Sequence, residues 1–390
     1  MDIFLKCENY TATKDVIEAG IYPFFHAITS SQDSVVMLDG RQTIMLGSNN
    51  YMGLTNDQRV IDAAVEATRK YGSGCTGSRF LNGTLDLHIK LEDELAAFLN
   101  KEAALTFSTG FQTNLGIISA ITGPRDYIFS DAENHASIID GCRLSFAKTV
   151  KYMHSDMDSL RSKLERAPDE AGKLIITDGV FSMQGDIAKL PEIVDLAKRY
   201  KARILIDDAH ALGMIGDHGR GTASYFGLEN DVDIIMGTFS KSLASLGGFF
   251  AAPETVTHYI KHHSRPFIFS ASITPSNCAA ALEALRIIRS EPDRQSRLKE
   301  NSDYLRTKLR EAGLPVLDSE SAIIPIMTYE TMRTFQIHHN LLVAGVYCNP
   351  VIAPAVSEGN CLLRTSCTVS HTKELLDKAV AIFKNVFDQV

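Results

Sequence analysis

Apolar and polar positions follow two different periods along the middle of the chain. Short, nearly continuous apolar runs occur at 103–107, 126–130, 174–177, 203–206 and 234–236. Runs of this length are typical of strands that are buried on both faces, as in parallel sheets. Segments with helical spacing separate these runs, and the sequence therefore predicts a mostly parallel sheet covered by helices on both sides.

The helical spacing predicts individual helices at 56–71, 85–99, 114–120 and 191–200. The last of these begins with Pro191, which fits the first turn of a helix. Near the N-terminus, the two apolar segments 35–38 and 43–46 flank Asp39 and Gly40. An Asp-Gly pair between such segments predicts a β-hairpin.

The pattern changes near Pro275. Beyond it the spacing predicts helices at 276–289, 294–312, 332–344 and from 372, with strands at 323–327 and 362–366. The predicted fold class is α/β, with a mostly parallel sheet in a large domain and a smaller α+β C-terminal domain. The predicted parts are an N-terminal arm with the hairpin at 1–50, a large domain at 51–280 and a small domain at 281–390.

Charge and cysteine content exclude several functional classes. A net charge of -8 disfavours a general nucleic-acid-binding protein, which would have a basic surface. The 7 cysteines are dispersed without C-x-x-C spacing, so we expect reduced thiols, no metal site and a cytoplasmic location. The N-terminus has no apolar signal segment, and no run approaches the roughly 20 apolar residues of a membrane span. Any membrane contact would be peripheral.

Polar side chains directly follow the predicted strands, in segments 131–135, 178–182, 207–210 and 237–242. Ligands of open α/β sheets bind outside the carboxyl ends of the strands. We therefore expect an acid, an imidazole, hydroxyls and an amine to converge on one edge of one sheet.

This set of groups suits pyridoxal 5′-phosphate. The cofactor acts as an electron sink while its pyridine nitrogen is protonated, and a buried carboxylate stabilises that proton. Asp207 is the candidate, although it could instead only cap a loop; Asp208 is less suitable because the pleat directs it to the other side. A Schiff base requires a lysine whose amine can be neutral. Lys241 lies among small hydroxyl residues with no other charge in 237–242, whereas most lysines of the chain are expected at the surface.

The cofactor phosphate requires hydrogen-bond donors. The segment 108–111 ends a predicted strand and opens a helix, so that free backbone N–H groups can face an anion. Thr238 and Ser240 can add hydroxyl donors. The glycine-rich stretch 72–83 lacks the Gly-Lys-Ser/Thr end of a Walker loop, and we expect it to line the site or to contact a second subunit.

Taken together, the chain resembles the α-oxoamine synthases. These are fold-type I pyridoxal-phosphate enzymes that condense an amino acid with an acyl-CoA and release CO2. The resemblance extends nearly from end to end. It rests on segments 47–53, 72–83, 134–137, 207–210 and 238–241, which occur in the order and at the spacing of the family.

The resemblance implies a role for each candidate residue. Lys241 would form the Schiff base and transfer protons, and Asp207 would pair with the pyridine nitrogen. His210, helped by Ser182, would bind the 3′-oxygen of the cofactor. His135 would stack on the ring; without the resemblance, a lone histidine after a strand is more often an ordinary core residue. The cofactor phosphate would be bound by Gly110, Phe111, Thr238 and Ser240, with Ser272 from the second subunit of a homodimer. Arg364 would bind the carboxylate of the amino acid. Asn50 would lie near the cofactor and the opening for the acyl chain.

Within the family, the segments 107–111, 114–119 and 265–272 most resemble those of bacterial, homodimeric members. These members join L-serine to palmitoyl-CoA and release 3-ketosphinganine, CoA and CO2, in the first step of sphingolipid synthesis. Sibling enzymes that use alanine or glycine share the catalytic set, so 8-amino-7-oxononanoate synthase and 2-amino-3-ketobutyrate CoA ligase stay as alternatives. A non-catalytic partner subunit is a third alternative, which the presence of Lys241 disfavours.

Overall fold

The computed structural model describes residues 2–11 and 13–390. Met1 and Ala12, which belong to the predicted N-terminal arm, lie outside the described residues. The chain forms two compact units. The large unit comprises Asn49–Lys299 with Glu320–Ala322, and the small unit comprises Met1–Ser48, Glu300–Ser319 and Ile323–Val390. The sequence pattern treated 1–50 and 281–390 as separate segments, whereas the structure groups the first 48 residues with the C-terminal part of the chain.

Strands and helices alternate between residues 103 and 238. The strands are β1 (Val35–Leu38), β2 (Arg41–Met45), β3 (Ala103–Phe107), β4 (Tyr127–Asp131), β5 (Lys148–Tyr152), β6 (Lys173–Asp178), β7 (Arg203–Asp207), β8 (Ile234–Thr238), β9 (Gly248–Ala252), β10 (Ile323–Tyr329), β11 (Val346–Tyr347), β12 (Asn349–Val351) and β13 (Cys361–Ser366). The helices are α1 (Leu5–Glu8), α2 (Lys14–Glu18), α3 (Gln58–Tyr71), α4 (Asp86–Phe98), α5 (Gly110–Ile121), α6 (Ala136–Ser145), α7 (Met157–Leu164), α8 (Leu190–Tyr200), α9 (Thr222–Tyr225), α10 (Glu254–His263), α11 (Arg265–Ile268), α12 (Pro275–Ser290), α13 (Asp293–Glu311), α14 (Thr331–Val343) and α15 (Lys373–Phe387).

The large unit contains a seven-stranded sheet in the order β3-β9-β8-β7-β6-β4-β5. Neighbouring strands from β8 to β5 are parallel, and β9 is antiparallel to both of its neighbours. The carboxyl ends of β3, β4, β6, β7 and β8 therefore lie at one edge of the sheet, together with the amino end of β9. The prediction of a mostly parallel sheet is confirmed.

The sheet forms because its central strands are apolar on both faces. All residues of β6, β8 and β9 are buried. On one face, side chains such as Ile176 and Leu205 pack with Ile117 and Ile118 of α5 and with Ile138 of α6. Full burial of one such side chain contributes about 1.5–3 kcal/mol, so this core fixes where the helices meet the sheet.

The small unit contains two three-stranded sheets, with the orders β1-β2-β11 and β10-β13-β12. β1 and β2 form the predicted hairpin, and Asp39 and Gly40 both have positive φ, at 48° and 76°. Two such residues in succession form the turn that suits the twist of a hairpin. The smaller α+β domain is confirmed. In the described part of the chain, no helix combines the length and the apolar character that a membrane span requires.

Candidate active site

The carboxyl edge of the seven-stranded sheet borders a cavity of about 320 Å³. We call it the carboxyl-edge cavity. Several predicted site residues line it, namely Gly110, Phe111, His135, Asp207, His210, Thr238, Ser240 and Lys241. Its other lining residues are Thr109, Ser137, Asp178, Val180, Ala209, Met236, Leu246 and Gly247.

Four predicted residues do not line this cavity. Ser182 lies in the turn that follows β6. The side-chain oxygen of Asn50 accepts hydrogen bonds from the backbone N–H groups of Leu54 and Thr55, at 3.0 and 3.3 Å. The remaining two are Ser272, whose N–H donates to Gly77 O, and Arg364, which is buried on β13 of the small unit. The roles of all four stay predictions.

Asp207 is the last residue of β7 and is buried, yet both of its carboxylate oxygens have donors. Asn114 Nδ2 donates to Oδ2 at 2.7 Å, and Ala209 N donates to Oδ1 at 3.0 Å. Asp208 instead accepts hydrogen bonds from the N–H and the hydroxyl of Thr222, and burial raises its pKa to about 7. The two adjacent carboxyls therefore have separate environments, and only Asp207 borders the cavity.

A hydrogen-bonded chain connects Asp207 with His135. The same Asn114 amide that donates to Asp207 also donates to Ser137 Oγ, at 2.8 Å. Ser137 in turn contacts His135 Nδ1, through its hydroxyl at 2.8 Å and its backbone N–H at 3.3 Å. Because the backbone N–H can only donate, Nδ1 accepts and the ring proton lies on Nε2.

His135 is therefore a neutral ring at the cavity wall. Burial lowers its pKa; the charge of Asp207 opposes this effect and the charge of Lys241 adds to it. Phe111 contacts the His135 ring edge to face, with centroids 6.3 Å apart. A neutral imidazole held in this way presents a flat surface on which a planar ligand can stack.

Lys241 lies three residues after the end of β8 and is half-buried in the cavity wall. It is near enough to His135 and Asp178 for its charge to lower the pKa of both groups. An amine in a partly desolvated cavity can form an imine with an aldehyde and then exchange protons.

Asp178 is a cavity residue to which the sequence analysis assigned no role. It is the last residue of β6 and pairs in register with Asp207. Burial, followed by the negative charge of Asp207, raises its pKa well above the ordinary value. Asp178 directly follows the apolar run 174–177, as Asp207 follows the run 203–206, so the rule on strand ends could have found it.

Tyr51 and Asn114 are further residues at the site without a predicted role. The hydroxyl of Tyr51, which is fully buried, lies 2.8 Å from His210 Nδ1 and orients that ring. Both residues occur in segments that support the family resemblance, but no periodicity distinguishes them. Asn114 bonds across 93 positions and Tyr51 across 159, so only the fold brings them to the cavity.

The start of α5 borders the same cavity and could hold an anion. Thr109 Oγ1 caps this helix by accepting from Gln112 N at 3.1 Å, and the N–H groups of the first turn have no partner within the helix. The hydroxyls of Thr238 and Ser240, 3.0 Å apart, lie beside it. A Cβ on Gly110 would lie 2.8 Å from Thr238 Oγ1, and one on Gly248 would lie 2.6 Å from Gly110 Cα, so the close approach requires glycine.

These observations together fit pyridoxal phosphate. An anion site at a helix start, a flat neutral ring, a carboxylate with donors on both oxygens and an amine all border one cavity. Each group matches one part of the cofactor: the phosphate, the face of the ring, the pyridine nitrogen and the aldehyde.

Comparison with known proteins gives a consistent result. The family model for aminotransferase class I and II matches residues 41–383. A serine palmitoyltransferase of Sphingobacterium spiritivorum is 51% identical over 98% of this chain and 96% of its own length. An 8-amino-7-oxononanoate synthase of Lysinibacillus sphaericus is 43% identical over 95% of each chain. A solved structure of serine palmitoyltransferase with pyridoxal phosphate as an internal aldimine superposes with a TM-score of 0.97 and 36% identity, covering 100% of this chain and 99% of that one.

The fold is thus the fold-type I pyridoxal-phosphate transferase fold, as the sequence predicted. The similarity covers both units of the chain, and it includes two of the candidate activities that the resemblance left open. This chain belongs to the aminotransferase class I and II family and, within it, to the α-oxoamine synthases, which include the bacterial serine palmitoyltransferases.

Proposed function

We propose that the protein is a pyridoxal-phosphate-dependent acyltransferase that condenses L-serine with palmitoyl-CoA. The products are 3-ketosphinganine, CoA and CO2. The observation that favours this reaction is the 51% identity, over almost the whole chain, to a serine palmitoyltransferase, against 43% for a relative of the sibling activity.

The residues of the carboxyl-edge cavity would hold the cofactor. The phosphate would bind at the N–H groups of Gly110 and Phe111 and at the hydroxyls of Thr238 and Ser240, with Ser272 of a second subunit. Bound pyridoxal phosphate supplies an electron sink that stabilises negative charge at the α-carbon of the amino acid. Asp207, whose carboxyl oxygens have two hydrogen-bond donors, would keep a proton on the pyridine nitrogen.

The other residues would act on the ring and on the substrates. The neutral His135 would stack on the cofactor ring, and His210 with Ser182 would bind its 3′-oxygen. Lys241 would bind the cofactor covalently when no amino acid is bound, and its released amine would then accept the α-proton of serine. Arg364 would bind the serine carboxylate through its planar fork, and Asn50 would border the path of the acyl chain.

We further propose a cytoplasmic homodimer with shared active sites. Large apolar side chains of the large unit are exposed, including Leu81 at 77% and Phe269 at 73%, and a second subunit would cover them. We expect no nucleic-acid partner, and only peripheral contact with a membrane.

Substrate titration tests the proposed reaction. The purified protein with cofactor is mixed with L-serine, glycine or L-alanine, and the change in cofactor absorbance is measured. Turnover is then measured with acyl-CoAs from octanoyl to stearoyl. We expect serine to give the largest spectral change and palmitoyl-CoA the highest kcat/KM.

The sibling activity is the alternative, since its relatives are also similar over the full chain. If glycine or alanine were turned over and serine were not, the proposed reaction would be wrong while the cofactor assignment would stand. Gel filtration with light scattering tests the dimer, and a monomeric active enzyme would contradict it.

A further inference from the structure

His154 lies in the turn between β5 and α7 and makes ion pairs on both sides of its ring. Nδ1 lies 3.0 Å from Asp131 Oδ1, and Nε2 lies 3.2 Å from Asp186 Oδ2. Both carboxyls are themselves largely buried, at 2% and 26% side-chain exposure. The ring therefore connects the carboxyl end of β4 with a segment that lies beyond β6 in the chain.

The two carboxylate contacts favour the cationic form of the imidazole. Burial alone would lower its pKa, but hydrogen bonds to Asp131 and Asp186 outweigh that effect and raise the pKa to about 10. A doubly protonated ring donates from both nitrogens, and charge-assisted hydrogen bonds of this kind are about twice as strong as neutral ones. A neutral ring carries a proton on one nitrogen only, so only one of the two carboxylates could accept a hydrogen bond from it.

Asp131 anchors this contact in the sheet. It is the last residue of β4, and its Oδ1 also accepts from Glu133 N at 2.9 Å. Its Oδ2 accepts from Ser155 N at 3.0 Å, directly beside His154. Asp131 thus holds His154 at the carboxyl end of β4, and His154 in turn restrains Asp186.

Asp186 belongs to a closed loop over 180–187. Val180 and Ile187 form a bridge, Phe181 N donates to Asp186 O at 3.0 Å, and Gly185 N donates to Phe181 O at 2.9 Å. Ser182 lies at the turn of this loop, and Val180 lines the carboxyl-edge cavity. The His154 ring also packs edge to face against Phe181, with centroids 4.4 Å apart.

We propose that His154 is a positioning residue, which holds the 180–187 loop against the end of β4 and so fixes Ser182 for its contact with the cofactor. This inference rests on the proposed function only through the role of Ser182. His154 does not touch the cavity; it acts through Asp186 and Phe181.

Hydrogen exchange of the loop amides tests the mechanical part, without activity as a readout. We expect the backbone amides at 181–187 to exchange roughly tenfold faster in His154→Gln than in the wild type, because the cationic bridge is lost. His154→Arg retains a cation with several donors and should restore much of the protection. The matched control is His262→Gln, on the exposed face of α10, which should leave the loop unchanged.

The pH titration of the cofactor absorbance tests the link to Ser182. We expect His154→Gln to shift the pH midpoint of the absorbance in the same direction as Ser182→Ala, and the double variant to shift it little further. We also expect His154→Gln to raise the KM for serine by a larger factor than it lowers kcat. If His154→Gln does not fold, Asp186→Asn removes one side of the bridge and provides the same comparison.

The outcomes separate this inference from the proposed function. Unchanged loop exchange, or an unchanged absorbance midpoint in an otherwise active His154→Gln enzyme, would overturn the inference and leave the proposed function intact. A wild type that does not turn over serine would refute the proposed function, while the exchange measurement would still decide whether His154 holds the loop.

Discussion

The two edges of the seven-stranded sheet border cavities of similar size but different chemistry. The amino-edge cavity, of about 390 Å³, is lined by Ile121, Thr122, Asp126, Gly172, Lys173, Leu174, Arg203, Asp233, Ile234, Pro253, Thr255 and Val256. Its charged groups bind one another or the backbone. Arg203 pairs with Asp233 at 2.7 Å, and Asp126 accepts from Gly123 N. At the carboxyl edge, Asp207, Lys241 and a neutral His135 border the smaller cavity together.

Cavity volume therefore does not identify the site; the direction of the chain does. Helix α5 starts at the carboxyl edge with unsatisfied N–H groups and ends at the amino edge with Ile121. The partial positive charge of its N-terminus favours an anion at one edge only. Substitutions at the carboxyl edge, compared with substitutions of Lys173, Asp233 and Arg203 at the amino edge, test this difference.

Replacement of the cavity lysine should have the largest effect. We expect Lys241→Ala to lose the absorbance of the covalently bound cofactor and at least about 10³-fold in kcat, since both the imine and the proton transfer are lost. Lys173→Ala, at the amino edge, removes a buried lysine whose amine donates to backbone carbonyls, and it should keep both properties. A Lys241→Ala protein that retained the absorbance would contradict the assignment.

Replacement of the carboxylate at the end of β7 should have the second-largest effect on activity. Asp207→Asn keeps the size of the side chain but removes the charge that would stabilise a protonated pyridine nitrogen, and we expect kcat to fall about 10²-fold. Asp233→Asn removes a carboxylate at the amino edge, and kcat should stay within about twofold of the wild type. Steady-state kinetics with saturating cofactor measures kcat for both variants. Equal losses of kcat would show that the two edges do not differ in function.

The amide of Asn114 should have a smaller effect on both activity and stability. Asn114→Leu leaves Asp207 Oδ2 and Ser137 Oγ without their shared donor, which costs about 1–3 kcal/mol of unfolding free energy. We expect about a tenfold loss in kcat/KM, because Asp207 and His135 lose their common orientation. Urea denaturation and kinetics check this, with Ser119→Ala at the other end of α5 as the control. An Asn114→Leu enzyme with wild-type kinetics would show that the hydrogen-bonded chain is structural only.

The pH dependence of stability should report the neutral state of His135. Its pKa in the folded protein is lowered, so below about pH 6.5 the unfolded chain binds a proton that the folded chain does not. This part of the stability is present at higher pH and is lost as the pH falls through about 6.5. We expect the wild type to lose up to about 1 kcal/mol more than His135→Phe between about pH 7.5 and 5.5, with no divergence above pH 7.5. Parallel curves throughout would argue against a depressed pKa.

The exposed ion pair at the amino edge should matter least. The Arg203 side chain is 78% exposed, and surface pairs contribute about 0–1 kcal/mol. Arg203→Ala should lower the unfolding free energy by less than about 1 kcal/mol and leave kcat unchanged. A large loss of activity here would mean that the amino-edge cavity takes part in function.

The sequence predicted most of the buried strands because burial on both faces leaves an uninterrupted apolar run, but it missed β9, which is also buried throughout. The runs 174–177 and 203–206 became β6 and β7, with bounds that differ by one residue at most. β5 escaped prediction because it is an edge strand with exposed lysines at 148 and 151. The start of α5 was placed four residues late, since glycine at 110 is a poor helix former and the cap at Thr109 gave no separate signal.

The sequence alone was enough to predict parallel strands ahead of Asp207 and Lys241, and with them the sheet edge at which both residues lie. Strand direction is enough for that conclusion, because parallel strands end at the same side of the sheet. The contacts that hold these groups in place became visible only in the folded protein. Asn114 reaches Asp207, Tyr51 reaches His210, and His154 joins Asp131 to Asp186 through side-chain hydrogen bonds between distant segments. Such contacts depend on packing distances that no local pattern of residues encodes.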